Sequence, residues 1–461
     1  MTNITFKDLG LKDSLLKAVN DLGYVNPSPI QAEAIPVALS GTDIIGQAQT
    51  GTGKTAAFGL PILNNITKKD AISSIILAPT RELAIQVHDE LVKLTKYERV
   101  NIVAVYGGSP IHLQTRDLKR AHIVVGTPGR VLDHIRRGNL PLSKVEFLVL
   151  DEADEMLNMG FIDDMEEIMK SIPENRQTLL FSATMPPQIK NLSKKYLKDD
   201  AKHVSIKRTE MTGSTITQNF FEVHGTQRFE ALCRLIDFDN PTAGIIFCRT
   251  KKGVDDLVAE MQGRGYMVEG MHGDMSQAQR LKTLSKFKKG SLKFLVATDV
   301  AARGIDVDGV SHVINYELPQ DIESYVHRIG RTGRAGREGT AYSIITPKEF
   351  GFLNQIKRVT KGNIEKKQVP SVKEIYENKF KGVVEEVSTI IEGDDYSKFL
   401  DIATELNEKY DPVKVIASLM KSQFNNQLSF DYTNDKLEIP KSSRENDVRL
   451  FFSAGRRDGL T

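Results

Sequence analysis

The segment of residues 48–55 has the residue types of a phosphate-binding loop. It reads Ala-Gln-Thr-Gly-Thr-Gly-Lys-Thr, follows a strand-like run at residues 43–46 and precedes a helical pattern. Glycines let backbone N–H groups turn towards phosphate oxygens, and the following helix adds its dipole. We therefore predict that Lys54 reaches the β- and γ-phosphates of a nucleotide and that the Thr55 hydroxyl contacts Mg²⁺. The strict pattern has glycine in place of Ala48, so a glycine-rich turn without a ligand is the alternative.

An acidic segment, Asp151-Glu-Ala-Asp154, comes directly after the apolar run 147–150. The carboxyl ends of buried strands are where α/β sheets bind their ligands. Asp151 is predicted to hold the magnesium shell, and Glu152 to orient and deprotonate the attacking water. Acidic residues at a strand end are often only solvated loop residues. Combined with the phosphate-binding loop, they predict nucleotide hydrolysis.

Positive charge for the transferred phosphoryl group is available in residues 325–336. Arg328, Arg331 and Arg334 recur there at intervals of three, among glycines. On a surface such a run usually forms a flexible or nucleic-acid-binding loop. Arginines delivered from a second domain across a cleft would instead make hydrolysis depend on closure of the cleft.

Short apolar runs alternate with helical patterns along most of the chain, which indicates two α/β domains. The strand-like runs of the first half are 74–78, 101–105, 122–125, 147–150, 178–181 and 203–206. The alternation restarts after a polar segment at 207–217, with runs at 244–248, 266–270, 293–297, 312–315 and 340–345. Runs without polar interruptions are typical of parallel strands covered by helices on both faces. A cleft between two such domains is the expected ligand site.

The composition is that of an ordinary soluble protein without global basic character. Lys+Arg number 62 and Asp+Glu number 60 among 461 residues, so nucleic acid would have to be contacted through local patches. Cys233 and Cys248 have no metal-ligand spacing, and a large chain poor in cysteine is typical of the reducing cytoplasm. We find neither a signal peptide nor an apolar run of about 18 residues, and predict a cytoplasmic protein without membrane contact.

The C-terminal part is acidic and predicted to be helical. Residues 371–440 contain 8 Lys, no Arg and 14 Asp+Glu, a net charge of 8 − 14 = −6. One predicted helix follows Asp394-Asp395 and has Phe399, Ile402, Ala403 and Leu406 on one face. Another begins at Asp411-Pro412. The apolar faces predict docking or self-association, with packing onto the second domain as an equal alternative. Residues 448–461 read as a single strand and a basic turn with no partner, which favours a natural protein that continues further.

Taken together, these motifs resemble those of a DEAD-box RNA helicase over residues 1 to about 361. Eleven family motifs occur in order, at 23–31, 48–55, 79–83, 107–108, 127–130, 151–154, 182–184, 246–250, 277–280, 297–306 and 325–336. Ala48 is the family's own variant of the phosphate loop. The C-terminal extension resembles that of bacterial cold-shock and ribosome-assembly members.

This resemblance implies a fold and a set of domain boundaries. The fold is α/β, with two tandem RecA-like parallel-sheet domains and a small helical C-terminal extension. The domains are residues 1–206 for ATP binding, a linker at 207–217, a second RecA-like domain at 218–361, the helical extension at 362–440, and a linker with the first strand of an RNA-recognition-like domain at 441–461.

The resemblance also implies functional residues. The implied ATP-binding residues are Phe6, Gln31, Ala48, Gln49, Thr50, Gly51, Thr52, Gly53, Lys54, Thr55 and Asp306. Phe6 and Gln31 would contact adenine and Asp306 the ribose. The implied catalytic residues are Lys54, Thr55, Asp151, Glu152, His327, Arg331 and Arg334, with Thr55 and Asp151 holding Mg²⁺ largely through water. Asp154, Ser182 and Thr184 would couple the two activities. The implied RNA-binding residues are Pro79, Thr80, Arg81, Gly108, Thr127, Arg130, Arg249, Gly273 and Thr298.

The implied mechanism is closure on ATP and RNA, bending of one strand by the stretch from Pro128, local unwinding, and reopening on hydrolysis. Contacts to phosphate and sugar would bind RNA without reading its bases. A homodimer through 362–440 and work with the ribosome or the RNA-decay machinery, in ribosome assembly, RNA decay or cold adaptation, are further expectations. The alternatives are an ATP-gated RNA clamp with little turnover and a DNA helicase or translocase.

Overall fold

The computed structural model describes residues 4–48, 51–67, 71–206, 216–302, 307, 309–333, 337–360, 362–393 and 396–427. Four predicted site residues, Gln49, Thr50, Asp306 and Arg334, lie outside these ranges, as do most of the 207–217 linker and all of 441–461. Among the described helices, none is both long and apolar enough to span a membrane.

The first half of the chain folds around a seven-stranded parallel sheet. Its strands are β1 (Ile44–Gln47), β2 (Ser74–Leu77), β3 (Ile102–Val105), β4 (Ile123–Gly126), β5 (Phe147–Leu150), β6 (Gln177–Ser182) and β7 (Lys202–Ser205), in the order β3-β4-β2-β5-β6-β1-β7. All six pairings are parallel. Every strand predicted in this half is therefore confirmed, with each bound shifted by at most one residue.

Two of the helices of this half precede β1, and the others lie between successive strands. The helices are α1 (Asp13–Asp21), α2 (Pro29–Leu39), α3 (Lys54–Asn65), α4 (Arg81–Leu94), α5 (Ile111–Leu118), α6 (Pro128–Arg136), α7 (Ala153–Asn158), α8 (Ile162–Ser171) and α9 (Pro187–Tyr196). Successive strand residues contribute to separate apolar clusters on the two faces of the sheet. Ile76 and Val149 belong to one cluster, and their neighbours Ile75 and Leu148 to the other. Because side chains alternate across a strand, burial on both faces requires the uninterrupted apolar runs seen in the sequence.

A second seven-stranded sheet repeats the strand order of the first. Its strands are β8 (Ile216–Glu222), β9 (Gly244–Phe247), β10 (Val268–Met271), β11 (Phe294–Ala297), β12 (His312–Asn315), β13 (Gly339–Ile345) and β14 (Ile364–Lys367), in the order β10-β11-β9-β12-β13-β8-β14. The pairings that join β10, β11, β9, β12 and β13 are parallel. Strands β8 and β14 were not predicted, because Thr217, Gln218 and Asn219 interrupt the apolar pattern of β8 and three of the four residues of β14 are exposed.

The helices of the second half are α10 (Arg228–Asp239), α11 (Lys251–Gly263), α12 (Gln277–Lys288), α13 (Asp299–Ala302), α14 (Ile322–Ile329) and α15 (Phe350–Thr360). Three more follow: α16 (Val372–Glu392), α17 (Leu400–Lys409) and α18 (Pro412–Gln427). Helices α17 and α18 confirm the two helices predicted for the C-terminal part of the chain. Lys414 N donates to Asp411 Oδ1 at 3.1 Å, so Asp411 is the predicted N-cap. The 21-residue α16 was not predicted.

Contacts along the chain divide it into two compact units. One contains the residues up to 219 together with 241–343 and 355–364, and the other contains 220–240, 344–354 and the residues from 365 onwards. All the predicted nucleotide and RNA residues that the structure describes belong to the first unit. The domain boundaries predicted at 206, 218 and 362 stay predictions.

Candidate nucleotide and RNA sites

The phosphate-binding loop ends in a backbone conformation that glycine favours. Gly51 and Gly53 have φ of 80° and 85°, and α3 begins at Lys54 directly after them. A Cβ on Gly53 would lie only 2.3 Å from Gln31 Nε2. Both the positive φ and this close approach therefore require glycine at position 53.

The N-terminus of α2 holds this loop in place. Ser28 Oγ donates to the Thr52 carbonyl at 2.7 Å, and Gln31 Nε2 donates to the Gly53 carbonyl at 3.0 Å. The Ser28 N–H donates in turn to Gln31 Oε1 at 2.9 Å. The sequence did not predict this support of the loop. A primary amide has two donor hydrogens and two acceptor lone pairs, so Gln31 retains one of each for adenine, and that contact stays a prediction.

Phe6, the other predicted adenine contact, is buried. Its ring stacks on Tyr24 with centroids 6.3 Å apart and an angle of 28° between the planes. Phe6 also packs with Leu9 and Ile30 in the apolar cluster that covers one face of the first sheet. The contact of Phe6 with adenine stays a prediction.

Lys54 and Asp151 face each other at the end of the phosphate loop and are both almost fully buried. Lys54 Nζ lies 3.7 Å from Asp151 Oδ1, and neither atom makes a hydrogen bond within the described part of the chain. Burial raises the pKa of Asp151 to about 6 against the opposing effect of Lys54, and the nearby Glu152 carboxylate raises it further. Buried charged atoms without hydrogen-bond partners are costly, so this geometry suits a site completed by a triphosphate and a divalent cation.

The described residues contain no cluster of three or more His, Cys, Asp or Glu side chains that could hold a metal ion. A magnesium ion beside Thr55 and Asp151 would therefore complete its shell with water and phosphate oxygens, as Mg²⁺ commonly does.

Glu152 has an unusual backbone conformation. Its φ of 52° and ψ of 54° place it in the left-handed region, immediately before α7 begins. Such a conformation costs a non-glycine residue about 1–3 kcal/mol and persists only where the surroundings enforce it. The turn directs the acidic segment away from the path of β5, and no sequence pattern predicted it.

Asp154 is joined to Ser182 and Thr184 by hydrogen bonds. The backbone N–H and the hydroxyl of Thr184 donate to Asp154 Oδ2 at 2.7 and 2.9 Å. The Asp154 N–H donates to Ser182 Oγ at 3.3 Å, and that hydroxyl donates to the Thr184 carbonyl at 2.7 Å. The three predicted coupling residues therefore form one network between α7 and the end of β6.

Residues from both halves of the chain line one small cavity next to the phosphate loop. The lining residues are Lys54, Glu152, Asp154, Glu155, Ala183, His327 and Arg331. His327 Nδ1 contacts Glu155 Oε1, which joins α14 to α7. Burial opposes the charged form of His327, but the hydrogen bond and the negative charge of Glu155 outweigh this effect and raise its pKa.

Three arginines were predicted to supply charge to the phosphoryl group. Among the described residues, only Arg331 of these three lines this cavity. Arg334 lies outside the described residues. Arg328 is instead 1% exposed, and its guanidinium bonds both carboxylate oxygens of Asp299, at 2.5 and 2.8 Å. It also stacks over the Phe247 ring at 4.9 Å. The prediction that Arg328 supplies charge to the phosphoryl group is therefore wrong, because its charge is already neutralised by Asp299.

The pair of His327 and Glu155 predicts a pH dependence of closure. When the two helices separate, His327 regains its ordinary pKa of about 6.5, whereas contact with Glu155 raises that pKa. The charged pair is thus fully present below about pH 6.5 and is lost as the pH rises through the raised pKa. We expect the RNA concentration needed for half-maximal ATP hydrolysis to increase over that window. His327→Gln should remove this dependence, and an unchanged profile in that variant would assign the pH effect to another group.

A second cavity, of about 450 Å³, contains most of the predicted RNA-binding residues. The predicted residues that line it are Pro79, Thr80, Arg81, Thr127, Arg130 and Gly273. Gly108 lies beside it, with φ of 81° and Arg81 packed so closely that a Cβ would be 2.3 Å from Nη1. Arg249 and Thr298 are not among the lining residues. The Arg249 side chain donates through Nε to the Leu318 carbonyl at 2.6 Å.

The same cavity includes a contact between α4 and α12 that the sequence did not predict. Arg280 Nε lies 2.9 Å from Glu82 Oε1, and Gln277 Nε2 donates to that oxygen at 3.2 Å. Arg280 also donates through Nη2 to the Ala301 carbonyl at 3.1 Å. These residues stand inside recognised motifs, at 79–83 and 277–280, but no role had been assigned to them.

The contact of Glu82 with Arg280 predicts a measurable coupling energy. Both side chains are mostly buried when paired. In the closure mechanism that the resemblance implies, they would return to water when the two halves separate, so loss of the pair would shift the protein towards the separated state. We expect Glu82→Gln and Arg280→Met each to raise the RNA concentration for half-maximal ATP hydrolysis by about 10-fold. The double variant should be little worse than either single one. Fully additive effects would show that the pair does not act as a unit.

The two sheets of identical strand order and the phosphate loop define a tandem RecA-like nucleotide-binding protein. Comparison with known proteins shows to which family within this class the chain belongs. Residues 28–192 match the DEAD/DEAH box helicase family, and residues 227–336 match the helicase conserved C-terminal domain. The DEAD-box ATP-dependent RNA helicase CshA of Bacillus anthracis is 51% identical over 413 residues, which cover 89% of this chain and 78% of that protein. The ATP-dependent RNA helicase CshA of Listeria monocytogenes is 50% identical over 418 residues, 90% of this chain and 80% of that protein.

Solved structures of RNA-bound proteins are similar to this chain in both fold and sequence. Saccharomyces cerevisiae Dbp5 bound to RNA and ADP BeF3 is similar with a TM-score of 0.73 and 34% identity, over 79% of this chain and 96% of that one. Mss116p bound to ssRNA and AMP-PNP is similar with a TM-score of 0.73 and 26% identity, over 93% of this chain and 97% of that one. The chain therefore belongs to the DEAD-box ATP-dependent RNA helicases. The predictions of family, fold class and enzyme class are confirmed.

Proposed function

We propose that this helicase hydrolyses ATP efficiently only when ATP and RNA together bring its two parallel-sheet halves into contact. The observation that carries this proposal is the small cavity in which Lys54 and Glu152 of the first half meet His327 and Arg331 of the second. A catalytic set divided between two halves is complete only while they are in contact. Nucleotide chemistry and RNA binding are then coupled through conformation.

Each group in the cavity has a distinct proposed task in phosphoryl transfer. Glu152 orients the attacking water and accepts its proton. Of the other two carboxylates that line this cavity, Asp154 accepts hydrogen bonds from Thr184 and Glu155 is paired with His327. Lys54 and Arg331 offset the charge on the transferring phosphoryl oxygens. Magnesium held by Thr55 and Asp151 would neutralise charge on the phosphate oxygens.

RNA is proposed to occupy the 450 Å³ cavity. Backbone amides, short hydroxyls and arginines at its surface suit phosphate and sugar contacts, which do not discriminate between sequences. The solved relatives Dbp5 and Mss116p were both determined with RNA bound. A strand pressed against the N-terminus of α6 at Pro128 would be forced to bend, and this bend would separate a few base pairs. Hydrolysis and release of phosphate would reopen the protein.

The direct test is steady-state phosphate release from ATP without nucleic acid, with RNA and with a DNA of the same sequence. We expect stimulation by RNA and little or none by DNA, since the 2′-hydroxyl distinguishes the two. Equal stimulation by DNA would favour a DNA helicase or translocase. Tight ATP-dependent RNA binding with negligible turnover would favour an RNA clamp. Turnover indifferent to RNA would contradict coupling through the cavity.

We also propose a homodimer formed through the C-terminal helices. Val372, Ile375 and Val383 of α16 are buried in its own compact unit, in part against Phe238. A second apolar row on α16 is exposed and consists of Phe380, Val384, Val387 and Ile391. Further exposed apolar side chains are Phe399, directly before α17, and Leu400, Ile402, Val413, Ile416 and Leu419 on α17 and α18. Exposed apolar side chains in such number on successive helices are typical of an interaction site.

Light scattering of the full chain tests the dimer. We expect twice the mass of the monomer, and a monomer for the paired substitution Val387→Glu and Ile391→Glu. A monomeric wild-type chain would contradict the dimer and leave the helicase proposal unaffected.

Roles in ribosome assembly, RNA decay or cold adaptation, and a cytoplasmic location, stay predictions.

A further inference from the structure

A buried glutamine connects two elements that line the RNA cavity. Gln114 of α5 is 5% exposed, and its Nε2 donates to the Tyr106 carbonyl at 3.0 Å. Its Oε1 accepts from Arg130 Nη1 at 3.0 Å and lies 3.1 Å from His134 Nε2. Tyr106 precedes the Gly107-Gly108 turn, whereas Arg130 and His134 lie on α6. One side chain therefore holds the turn and the helix together.

The partners determine which way the Gln114 amide faces. A backbone carbonyl can only accept a hydrogen bond, and a guanidinium can only donate one. If the amide were rotated by 180°, its NH₂ group would face Arg130 and its oxygen would face the Tyr106 carbonyl, so both contacts would be repulsive. The oxygen therefore points to Arg130 and accepts from that side.

This orientation also determines the state of His134. Because Gln114 Oε1 only accepts, His134 donates to it through Nε2. Nδ1 has no hydrogen-bond partner among the described residues, and His134 is 0% exposed. Burial and the charge of Arg130 lower the pKa of His134. A neutral imidazole with its proton on Nε2 satisfies all of these conditions.

These hydrogen bonds determine which N–H groups of Arg130 are left to face the cavity. Nη1 donates to the Ser109 carbonyl at 3.0 Å as well as to Gln114, so both of its hydrogens are used inside the protein. Within the described part of the chain Nη2 has no acceptor, and Arg130 lines the RNA cavity. Nε lies 4.0 Å from Asp133 Oδ2, so Nη2 is the group that the held guanidinium presents in a defined direction to a phosphate.

We propose that Gln114 and His134 are positioning residues that hold Arg130 and the 107–109 turn as one unit against the RNA backbone. This inference rests on the proposed function, because it assumes that the cavity binds RNA. Neither residue is among those lining the cavity, so both act through Arg130. They should therefore influence RNA binding and strand separation more than the chemical step of ATP hydrolysis.

The experiment measures RNA-stimulated ATP hydrolysis of the full chain as a function of RNA concentration. For Gln114→Met, which keeps the volume and removes all three hydrogen bonds, we expect half-saturation at about 10-fold more RNA with kcat within about twofold. His134→Leu should have a smaller effect in the same direction. His134→Gln keeps an N–H donor close to the position of Nε2 and should restore RNA half-saturation to near the wild-type value.

Gln177→Met is the matched control. Gln177 is also a buried amide of the first sheet, and its Nε2 donates to the Ala38 and Thr42 carbonyls at 2.9 and 2.7 Å. It should lower the thermal midpoint as Gln114→Met does and leave half-saturation by RNA unchanged. An equal rise in both variants would show that loss of stability, and not loss of positioning, weakens RNA binding.

A double variant tests whether Gln114 acts through Arg130. When Arg130→Ala is already present, Gln114→Met should raise half-saturation by little more. Additive effects, or wild-type half-saturation in Gln114→Met alone, would overturn the proposal while RNA-stimulated hydrolysis by the wild-type chain still supports the proposed function. If RNA does not stimulate the wild-type chain at all, the proposed function itself fails.

Discussion

Glu152→Gln is expected to lower the RNA-stimulated rate of phosphate release by about 10²–10⁴-fold. Glutamine has nearly the shape of glutamate, so it can still contact a water molecule but cannot take up its proton. The left-handed backbone of Glu152 depends on the surrounding turn and not on the carboxylate, so the substitution should leave the fold unchanged. The rate should be measured at saturating ATP and RNA. Binding of RNA in the presence of ATP should be retained or become longer-lived, because reopening depends on hydrolysis.

A surface carboxylate provides the control for this variant. Glu166 on α8 accepts hydrogen bonds from Lys195 and Tyr196 at 2.7 and 2.9 Å, and no residue of the nucleotide cavity contacts it in the described structure. Glu166→Gln should keep the wild-type rate. If Glu152→Gln also hydrolysed ATP at a rate close to the wild type, another group would have to accept the proton.

Arg331→Lys is expected to lower kcat by about 10³-fold, because arginines that stabilise the phosphoryl-transfer transition state contribute on this scale. Lysine keeps the positive charge but has neither the planar group nor the paired donors of arginine. Arg331 is buried in the described structure, and its Nε donates to the His327 carbonyl at 3.3 Å. The guanidinium is therefore directed by α14, which also carries the contact with Glu155. Single-turnover hydrolysis at saturating RNA would separate this step from RNA binding.

Two further measurements make this result specific. Arg358→Lys, at an exposed arginine on α15, should leave kcat unchanged. The concentration of ATP needed for half-maximal rate should change far less in Arg331→Lys than kcat does, since the proposed contact is made mainly in the transition state. A loss confined to ATP affinity would mean that Arg331 binds the ground state and does not assist the reaction.

The amino-acid sequence determined the chemistry and most of the fold because both are encoded locally. The phosphate-binding loop is eight consecutive residues, and the acidic segment directly follows the strand that positions it. The strands buried on both faces of their sheet produce unbroken apolar runs, so they were predicted. Strand β14, Ile-Glu-Lys-Lys, carries no such run, and three polar residues interrupt β8, Ile-Thr-Gln-Asn-Phe-Phe-Glu, so neither was recognised.

Only the tertiary structure decided which side chains pair across elements. Gln31 supports the Gly53 carbonyl, Glu155 pairs with His327, and Glu82 contacts Gln277 across 195 residues of sequence. Each motif could be identified without its partner, because a motif is a local pattern. A hydrogen bond between distant segments has no such signature. Its existence depends on how strand order and helix packing bring the two donor and acceptor atoms together, and that is why Arg328 could be mistaken for a phosphate contact while Gln114 and His134 carried no visible signal.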